Sequence, residues 1–233
     1  MLNSGKKFRA VRDKKINILT LVLSEKKFLK ETKNHNPPFK LNGRSLNEYW
    51  TEHIKKMSTY FKSLDYLNAS NYSNGKAHAA LTSVQTSARD VARLPVNLRL
   101  MTGTYYLQSN KAAFNQNRID STCLVCQMEP ETLEHFLLDC NVLAETREPY
   151  ISELNVLIKE CHSCVKCNTT INTFILNLRS ILDPSTVCCG YDCNCLKTLY
   201  TFEHVTRRLC FALNTKRNNI FIKTLPNNRR KGH

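Results

Sequence analysis

Three cysteines and one histidine lie close together near the middle of this 233-residue chain, at Cys123, Cys126, His135 and Cys140. Three thiolates and an imidazole are the ligands that tetrahedral Zn²⁺ prefers, and a two-residue gap lets a tight turn present both sulfurs to one ion. The alternative is that these are four unrelated core residues. The zinc interpretation predicts a structural site, because four protein ligands leave no coordination position open for a catalytic water.

The last two of these residues, His135 and Cys140, are five positions apart. Five residues turn about 140° beyond one full turn of an ideal α-helix, so a regular helix would not direct both side chains toward one ion. We therefore expect the helix that carries His135 to end or loosen before Cys140. Pro130 is expected in the first turn of that helix, where a missing N–H is tolerated, with Glu129 and Glu131 near its positive end.

A second group of cysteines lies between residues 161 and 195, and the chain has 11 cysteines in all. In a reducing compartment, clustered cysteines bind metal more often than they form disulfides. Four of them would supply another tetrahedral site, for instance Cys164, Cys167, Cys189 and Cys193. Nothing in their spacing fixes which cysteines would act together, so free thiols are the alternative.

The start of the chain is strongly charged, and its apolar stretch at residues 16–23 is short. A secretory signal has a small-residue cleavage site after its apolar region, and a membrane span needs about 20 apolar residues. Neither pattern is met in this stretch. We therefore expect an intracellular protein, nuclear or cytoplasmic, that is neither secreted nor bound to a membrane.

Positive charge is concentrated at both ends of the chain, whose net charge is +15 at pH 7. Residues 1–56 hold 14 basic and 5 acidic side chains, residues 207–233 hold 8 basic and none acidic, and the part between is nearly neutral. Basic flanks of this kind attract phosphates and other anions. They predict RNA or DNA as a partner, bound through the phosphate backbone with low specificity. An ordinary solvated surface is the alternative.

Basic and aromatic residues alternate in the stretch that precedes the metal-binding segment. Such side chains can follow a phosphate backbone and stack on bases. The candidate nucleic-acid-binding residues are Arg89, Arg93, Arg99, Tyr105, Lys111 and Arg118. The alternative is that the aromatic residues of this stretch, including Tyr106 and Phe114, pack in the core and that the basic residues are simply solvated.

Apolar residues recur at helical spacing through most of the chain, and the low content of 6 Gly and 7 Pro disfavours a many-stranded β fold. We predict an all-α fold in which a zinc knuckle at 123–140 is embedded in a small helical domain. Its expected parts are a basic helical segment at 1–67, a linker at 68–85, the helical zinc-binding domain at 86–215 and a basic tail at 216–233.

One helix of about twenty residues should begin after Ser45, which forms a capping box with Glu48 by its spacing. Another is expected at 89–101, either continuous or broken at Pro95, because proline removes a helical hydrogen bond. The remaining helices are expected at 6–33, 110–117, 141–160, 170–182 and 195–214.

The spacing Cys-x2-Cys-x8-His-x4-Cys at 123–140 resembles the zinc-binding region at the C-terminal end of non-LTR (LINE-type) retrotransposon reverse transcriptases. The flanking residues are also similar to that family: LRLMTGTYYLQSNKAAFNQNRIDSTC (98–123) before the site and EHFLLDCNVLAETREPY (134–150) across its end. The family's arginine after the last cysteine corresponds to Arg147. The resemblance is strong over 86–150 and extends more loosely to about 215.

This resemblance implies a fragment that lacks the polymerase domain. The family's polymerase centre needs adjacent aspartates to hold two Mg²⁺ ions, and no Asp-Asp pair occurs in this chain. We therefore expect a non-catalytic zinc-binding module that binds RNA or DNA, and not an enzyme. The alternatives are a zinc-stabilised helical protein-interaction module and an inert retroelement remnant without nucleic-acid binding.

Overall fold

A computed structural model describes residues 43–61, 64–69, 73–84, 87–116, 118–162, 176–186 and 195–224. In these ranges the chain forms helices and turns without a β-strand, which confirms the predicted all-α fold. The predicted helix at 6–33 and the end of the basic tail lie outside the described residues. No helix of the described ranges is both long enough and apolar enough to cross a bilayer.

The α-helices of the described residues are α1 (Gly43–Ser58), α2 (Ala79–Thr82), α3 (Ala88–Met101), α4 (Gln108–Phe114), α5 (Ala144–His162), α6 (Leu178–Leu182) and α7 (Cys195–Thr224). A π-helix at His135–Asp139 precedes a 3₁₀-helix at Asn141–Leu143, and a second 3₁₀-helix follows α6 at Pro184–Thr186. The chain divides into two compact units, one of residues 1–61 and 69–78 and the other of 62–68 and 79–233. The metal-binding segment belongs to the second unit.

In the first unit, α1 differs from its predicted bounds at both ends. It begins at Gly43, so Ser45 lies inside the helix and is not its N-cap. It ends at Ser58, where the Ser58 hydroxyl donates to the Lys55 carbonyl at 2.7 Å. A serine that bonds a carbonyl of the preceding turn competes with the helical ladder, which favours a helix end at this point.

Helix α7 is the central element of the second unit and packs against both α5 and α3. Its buried apolar residues recur at intervals of three and four, at Leu199, Phe202, Val205, Leu209 and Leu213. This stripe ends near residue 214, where the sequence pattern predicted the helix to stop. The helix nevertheless continues to Thr224 and includes the first part of the predicted basic tail.

Helix α3 runs without interruption from Ala88 to Met101, so the predicted helix at 89–101 is confirmed and the alternative break at Pro95 does not occur. The Ser87 hydroxyl caps its first turn by accepting a hydrogen bond from the Asp90 N–H at 3.3 Å. Pro95 is exposed, so its ring points away from the core while the residues around it keep the helix packed. Gly103 follows the helix with φ 58°, a left-handed conformation that glycine adopts without strain.

A buried ion pair joins α3 to α7. Arg207 and Asp90 are both fully buried, and the Arg207 Nη2 lies 3.0 Å from the Asp90 Oδ2. The same guanidinium donates to the Ser83 hydroxyl at 2.8 Å and to the Ser83 carbonyl at 3.0 Å. His204 adds a further contact, with its Nδ1 3.2 Å from the Asp90 Oδ1. Because one guanidinium bonds both α3 and the segment after α2, it fixes the positions of both against α7.

Candidate metal centre

A tight hairpin-like turn carries the first pair of cysteines, Cys123 and Cys126. Thr122 and Pro130 form an isolated antiparallel bridge, and inside it the Cys123 N–H donates to the Glu129 carbonyl at 2.7 Å. Pro130 is therefore part of this bridge and not of a helix, which corrects the sequence prediction. The missing N–H of Pro130 is tolerated because the adjacent residue, Glu131, makes the hydrogen bond of this bridge. The Glu131 N–H donates to the Ser121 carbonyl at 2.8 Å.

The turn between the two arms of the bridge is tight enough to bring Cys123 and Cys126 together. Gln127 adopts φ 57°, an uncommon conformation for a residue with a side chain. Its N–H donates back to the Cys123 carbonyl at 2.9 Å, which closes the turn around the cysteine pair. The two-residue gap thus performs the role that the spacing predicted.

The π-helix at His135–Asp139 resolves the conflict between the spacing of His135 and Cys140 and a regular α-helix. Its closing bond runs from the Cys140 N–H to the His135 carbonyl at 2.7 Å. A π-helix makes its bonds between residues five apart, whereas an α-helix makes them four apart. His135 and Cys140 therefore lie one turn from each other on the same side. The predicted loosening of the helix is confirmed, and it takes this specific form.

The four side chains converge on one point. Their ligand atoms all lie within 4.8 Å of one another, and the Cys126 Sγ is 3.3 Å from the His135 Nε2. A tetrahedral site with metal–sulfur bonds of about 2.3 Å has edges of about 3.8 Å, so this spacing suits a single ion. Cys123, His135 and Cys140 are buried, and Cys126 is partly exposed. These four residues can hold a metal ion.

Glu129 orients the histidine toward the sulfurs. Its Oε2 lies 3.1 Å from the His135 Nδ1, on the side of the ring opposite the cysteines. A carboxylate in this position holds the Nδ1–H tautomer and leaves the lone pair of Nε2 directed at the ion. The sequence indicated Glu129 only as part of a helix start. Its role depends on the hairpin fold, which no local pattern revealed.

Arg147 secures the other end of the π-helix. This side chain is buried, and its guanidinium donates to the carbonyl oxygens of Leu138 and Cys140. Cys140 leaves helical geometry with ψ 114°, and its carbonyl accepts the Leu143 N–H at 3.1 Å as well as the Arg147 guanidinium. The arginine that follows the last cysteine thus fixes the backbone of a candidate metal ligand.

The environment acts against ionisation of Cys140 and favours ionisation of Cys126. Burial, together with the charges of Cys123 and Cys126, raises the pKa of Cys140 to about 12. Burial also acts to raise the pKa of Cys126, but backbone N–H groups of Met128 and Glu129 outweigh it and lower that pKa to about 7. Three thiolates this close require a compensating cation, which is the charge that a divalent metal supplies.

A second buried ion pair ties the knuckle to α7. Glu131 is fully buried, and its two carboxylate oxygens accept bonds from the Arg217 Nε at 2.6 Å and Nη2 at 2.8 Å. The carboxylate also accepts the Gln108 N–H at the start of α4, at 2.8 Å. Glu131 therefore holds the knuckle, α4 and α7 together, a role that local spacing could not indicate.

Tyr105 is part of this packed region, contrary to its predicted role as a base-stacking residue. Its ring is 7% exposed and stacks on Phe136 with 5.4 Å between the centroids. Its hydroxyl donates to the Asn214 Oδ1 at 2.6 Å. A ring that is covered on this scale has no face for a nucleotide, so the assignment of Tyr105 to nucleic-acid binding is corrected.

The other candidate nucleic-acid-binding residues have different environments. Arg89, Arg99 and Arg118 are exposed, and Lys111 is half-buried. Arg93 is mostly buried and lies 3.9 Å from the Asp90 carboxylate, so its charge is directed inward. The aromatic residues expected as alternative core members, Tyr106 and Phe114, are exposed instead. Of the aromatic residues in this stretch, Tyr106 and Phe114 are therefore exposed and Tyr105 is buried.

The predicted second metal group of Cys164, Cys167, Cys189 and Cys193 lies outside the described residues. Within the ranges that are described, the cluster of Cys123, Cys126, His135 and Cys140 is the one grouping able to hold a metal. Comparison of the chain with protein-family models, curated proteins and solved structures gave no match.

We expect Glu129→Gln to weaken metal binding about tenfold, because removal of the carboxylate that orients a ligating histidine typically costs ten- to a hundredfold in affinity. The measurement is a competition titration with Zn²⁺ as the probe and a chromophoric chelator as the competitor. Glu134→Gln is the matched control, since this exposed glutamate is next to His135 and its loss changes the net charge equally. Equal weakening in both variants would show that only the charge matters.

Proposed function

We propose that this protein is a non-catalytic zinc-binding module that binds RNA or DNA through their phosphate backbones. The observation that carries the zinc assignment is the closed set of four ligands at Cys123, Cys126, His135 and Cys140. Thiolate and imidazole donors in a Cys₃His set are typical of structural zinc sites. Since all four positions would be filled by the protein, the metal has a structural role and offers no site for an activated water.

The charge distribution supports nucleic acid as the partner. The chain carries a net charge of +15, and three of the candidate contact residues, Arg89, Arg99 and Arg118, are exposed. Exposed arginines bind phosphate oxygens without reading the base sequence. The expected binding is therefore electrostatic and of low sequence specificity.

An origin as the tail of a non-LTR reverse transcriptase is part of the same proposal. Its support is the resemblance over 86–150 and the absence of an Asp-Asp pair from the sequence. The contacts of Arg147 with Leu138 and Cys140 add a physical reason for an arginine after the last cysteine. Without paired carboxylates the metal ions of a polymerase have no anchor, so the module is expected to bind and not to catalyse.

We expect binding to single-stranded RNA or DNA to weaken steeply with salt. Roughly 4–6 phosphate contacts at about −0.7 each give a slope of log K against log salt of about −3 to −4. Changing Arg89, Arg99 and Arg118 together to Ala should flatten this slope by about 2 and weaken all sequences alike. The measurement is fluorescence anisotropy over a range of salt concentrations, on protein shown to contain one zinc per chain.

A matched control changes three exposed lysines outside this set, Lys56, Lys76 and Lys159, to Ala. It removes the same charge, so a purely nonspecific effect would flatten the slope equally in both triple variants. Wild-type protein that binds neither RNA nor DNA at low salt would contradict the proposed function. Protein that folds fully and binds normally without zinc would contradict the structural role of the metal.

A further inference from the structure

The chain has two long stretches without acidic residues, and the structure brings them together. Residues 91–119 and 204–233 contain no Asp or Glu. The Arg217 Nη2 donates to the Tyr106 carbonyl at 3.1 Å, and the Tyr105 hydroxyl bonds Asn214. The end of α7 therefore lies against the segment between α3 and α4. Where the two stretches meet, they contribute basic side chains to the surface and no acidic side chains.

An exposed aromatic side chain lies at this junction. Tyr105 and Leu107 are buried, whereas Tyr106 between them is 50% exposed. The Leu107 N–H donates to the Tyr105 carbonyl at 3.0 Å, which closes a tight turn with Tyr106 at its centre. Because both neighbours are buried, the Tyr106 ring lies on the solvent side of this turn. The backbone of Tyr106 is fixed by Arg217, and its neighbours are anchored in the core. Its ring is thus presented from a rigid base.

Three cations belong to the segments that adjoin Tyr106. Arg99 ends α3 and its carbonyl accepts the Tyr105 N–H at 3.0 Å, so the end of α3 lies beside the segment. Lys111 follows one turn into α4, and its N–H donates to the Leu107 carbonyl at 3.0 Å. Lys216 is exposed and precedes Arg217 on α7. Arg217 itself is neutralised by Glu131, so we exclude it from the phosphate contacts.

We propose that Tyr106 stacks on a base of a single-stranded nucleic acid whose phosphates contact Arg99, Lys111 and Lys216. This inference rests on the proposed function and specifies its substrate class and its stacking residue. An exposed ring with cations on the adjoining segments suits single strands, because their bases are free to leave the stack and lie on an aromatic face. The bases of a duplex are already stacked on one another, so the ring has no comparable partner there.

The test uses the full-length, zinc-loaded protein and fluorescence anisotropy. The probes are labelled oligo(U) and oligo(dT) of about 12 nucleotides and a duplex of the same length. Tyr106→Ala and Tyr106→Leu should weaken binding of the single strands about tenfold or more while leaving the salt slope unchanged, because stacking releases no counterions. Tyr106→Phe should bind like the wild type, because it keeps the ring.

The control for a general effect of losing an exposed tyrosine is Tyr60→Ala, at a 68% exposed position in the first unit. It should bind like the wild type. Polyglutamate serves as a competitor that carries charge but no bases. Salt should displace polyglutamate from the wild type and from the Tyr106 variants at the same concentration, because only the stacking of a base depends on the tyrosine ring.

The outcomes separate the two proposals. Failure of the wild type to bind any of the three probes at low salt would contradict the proposed function itself. Binding of the single strands that is unaffected by Tyr106→Ala and Tyr106→Leu would overturn only the stacking inference. Equal affinity for the duplex would also overturn it, as would equal weakening of polyglutamate binding in the Tyr106 variants. Zinc content and circular dichroism equal to the wild type establish that the variants are folded.

Discussion

Removal of the proposed zinc is expected to unfold the region around the knuckle and to lower the thermal stability of the second unit sharply. Structural zinc contributes on the order of 10–16 kcal/mol of apparent binding energy in small metal domains. Three of the four ligands, Cys123, His135 and Cys140, are buried, and two of them belong to the core cluster with Phe136 and Leu137. Without the ion, the thiols and the imidazole would face one another with no common partner.

Cys126→Ser tests this expectation through the most exposed ligand, so the substitution itself disturbs packing least. The variant should lose zinc and melt at a lower temperature, as followed by circular dichroism, while the NMR signals of α1 in the first unit persist. Cys210→Ala is the control, because Cys210 is a buried cysteine outside the ligand cluster. It should retain zinc. Chelation that leaves the melting curve of the wild type unchanged would disprove a structural role.

Arg207→Met is expected to destabilise the protein by about 3–5 kcal/mol, because it leaves the buried Asp90 carboxylate without its main partner. The measurement is urea unfolding followed by circular dichroism. The neighbouring substitution Arg208→Met is a matched control. Arg208 pairs with Glu153 across a partly exposed contact in which the two side chains are 34% and 41% exposed. Such a pair is worth about 0–1 kcal/mol.

The double variant Asp90→Leu with Arg207→Met distinguishes the cost of removing the guanidinium from a buried carboxylate from the worth of the pair itself. Replacing both partners of a buried ion pair by apolar residues is often close to neutral, so the double variant should be more stable than Arg207→Met alone. Equal destabilisation by Arg207→Met and Arg208→Met would show that the burial of Asp90 carries no such cost.

The ligand set was predictable from the sequence because cysteine and histidine spacing is a local signal. For the turn between His135 and Cys140, the sequence showed only that a regular α-helix would not bring the two side chains together. It did not predict a π-helix. Glu131 and Arg217 form an ion pair although they are 86 residues apart in the chain, and no local sequence pattern predicts that they pair. The choice between Tyr105 and Tyr106 as the exposed ring depends on which one faces α7, and two adjacent tyrosines look alike in sequence. The length of α7 was underestimated because its apolar stripe ends before the helix does.

The π-helix also bears on how the length of this segment can change. In an α-helix, residues four apart lie on the same side, so a His-x3-Cys segment would present both ligands from a regular turn. The chain has His-x4-Cys, and the π-turn from His135 to Cys140 accommodates the additional residue without separating the ligands. A π-turn with four residues between the histidine and the cysteine therefore places the two side chains as an α-turn with three residues between them would. We expect a one-residue deletion between these two residues to be absorbed by conversion of the π-turn into an α-turn, so that His135 and the cysteine stay on one side of the helix.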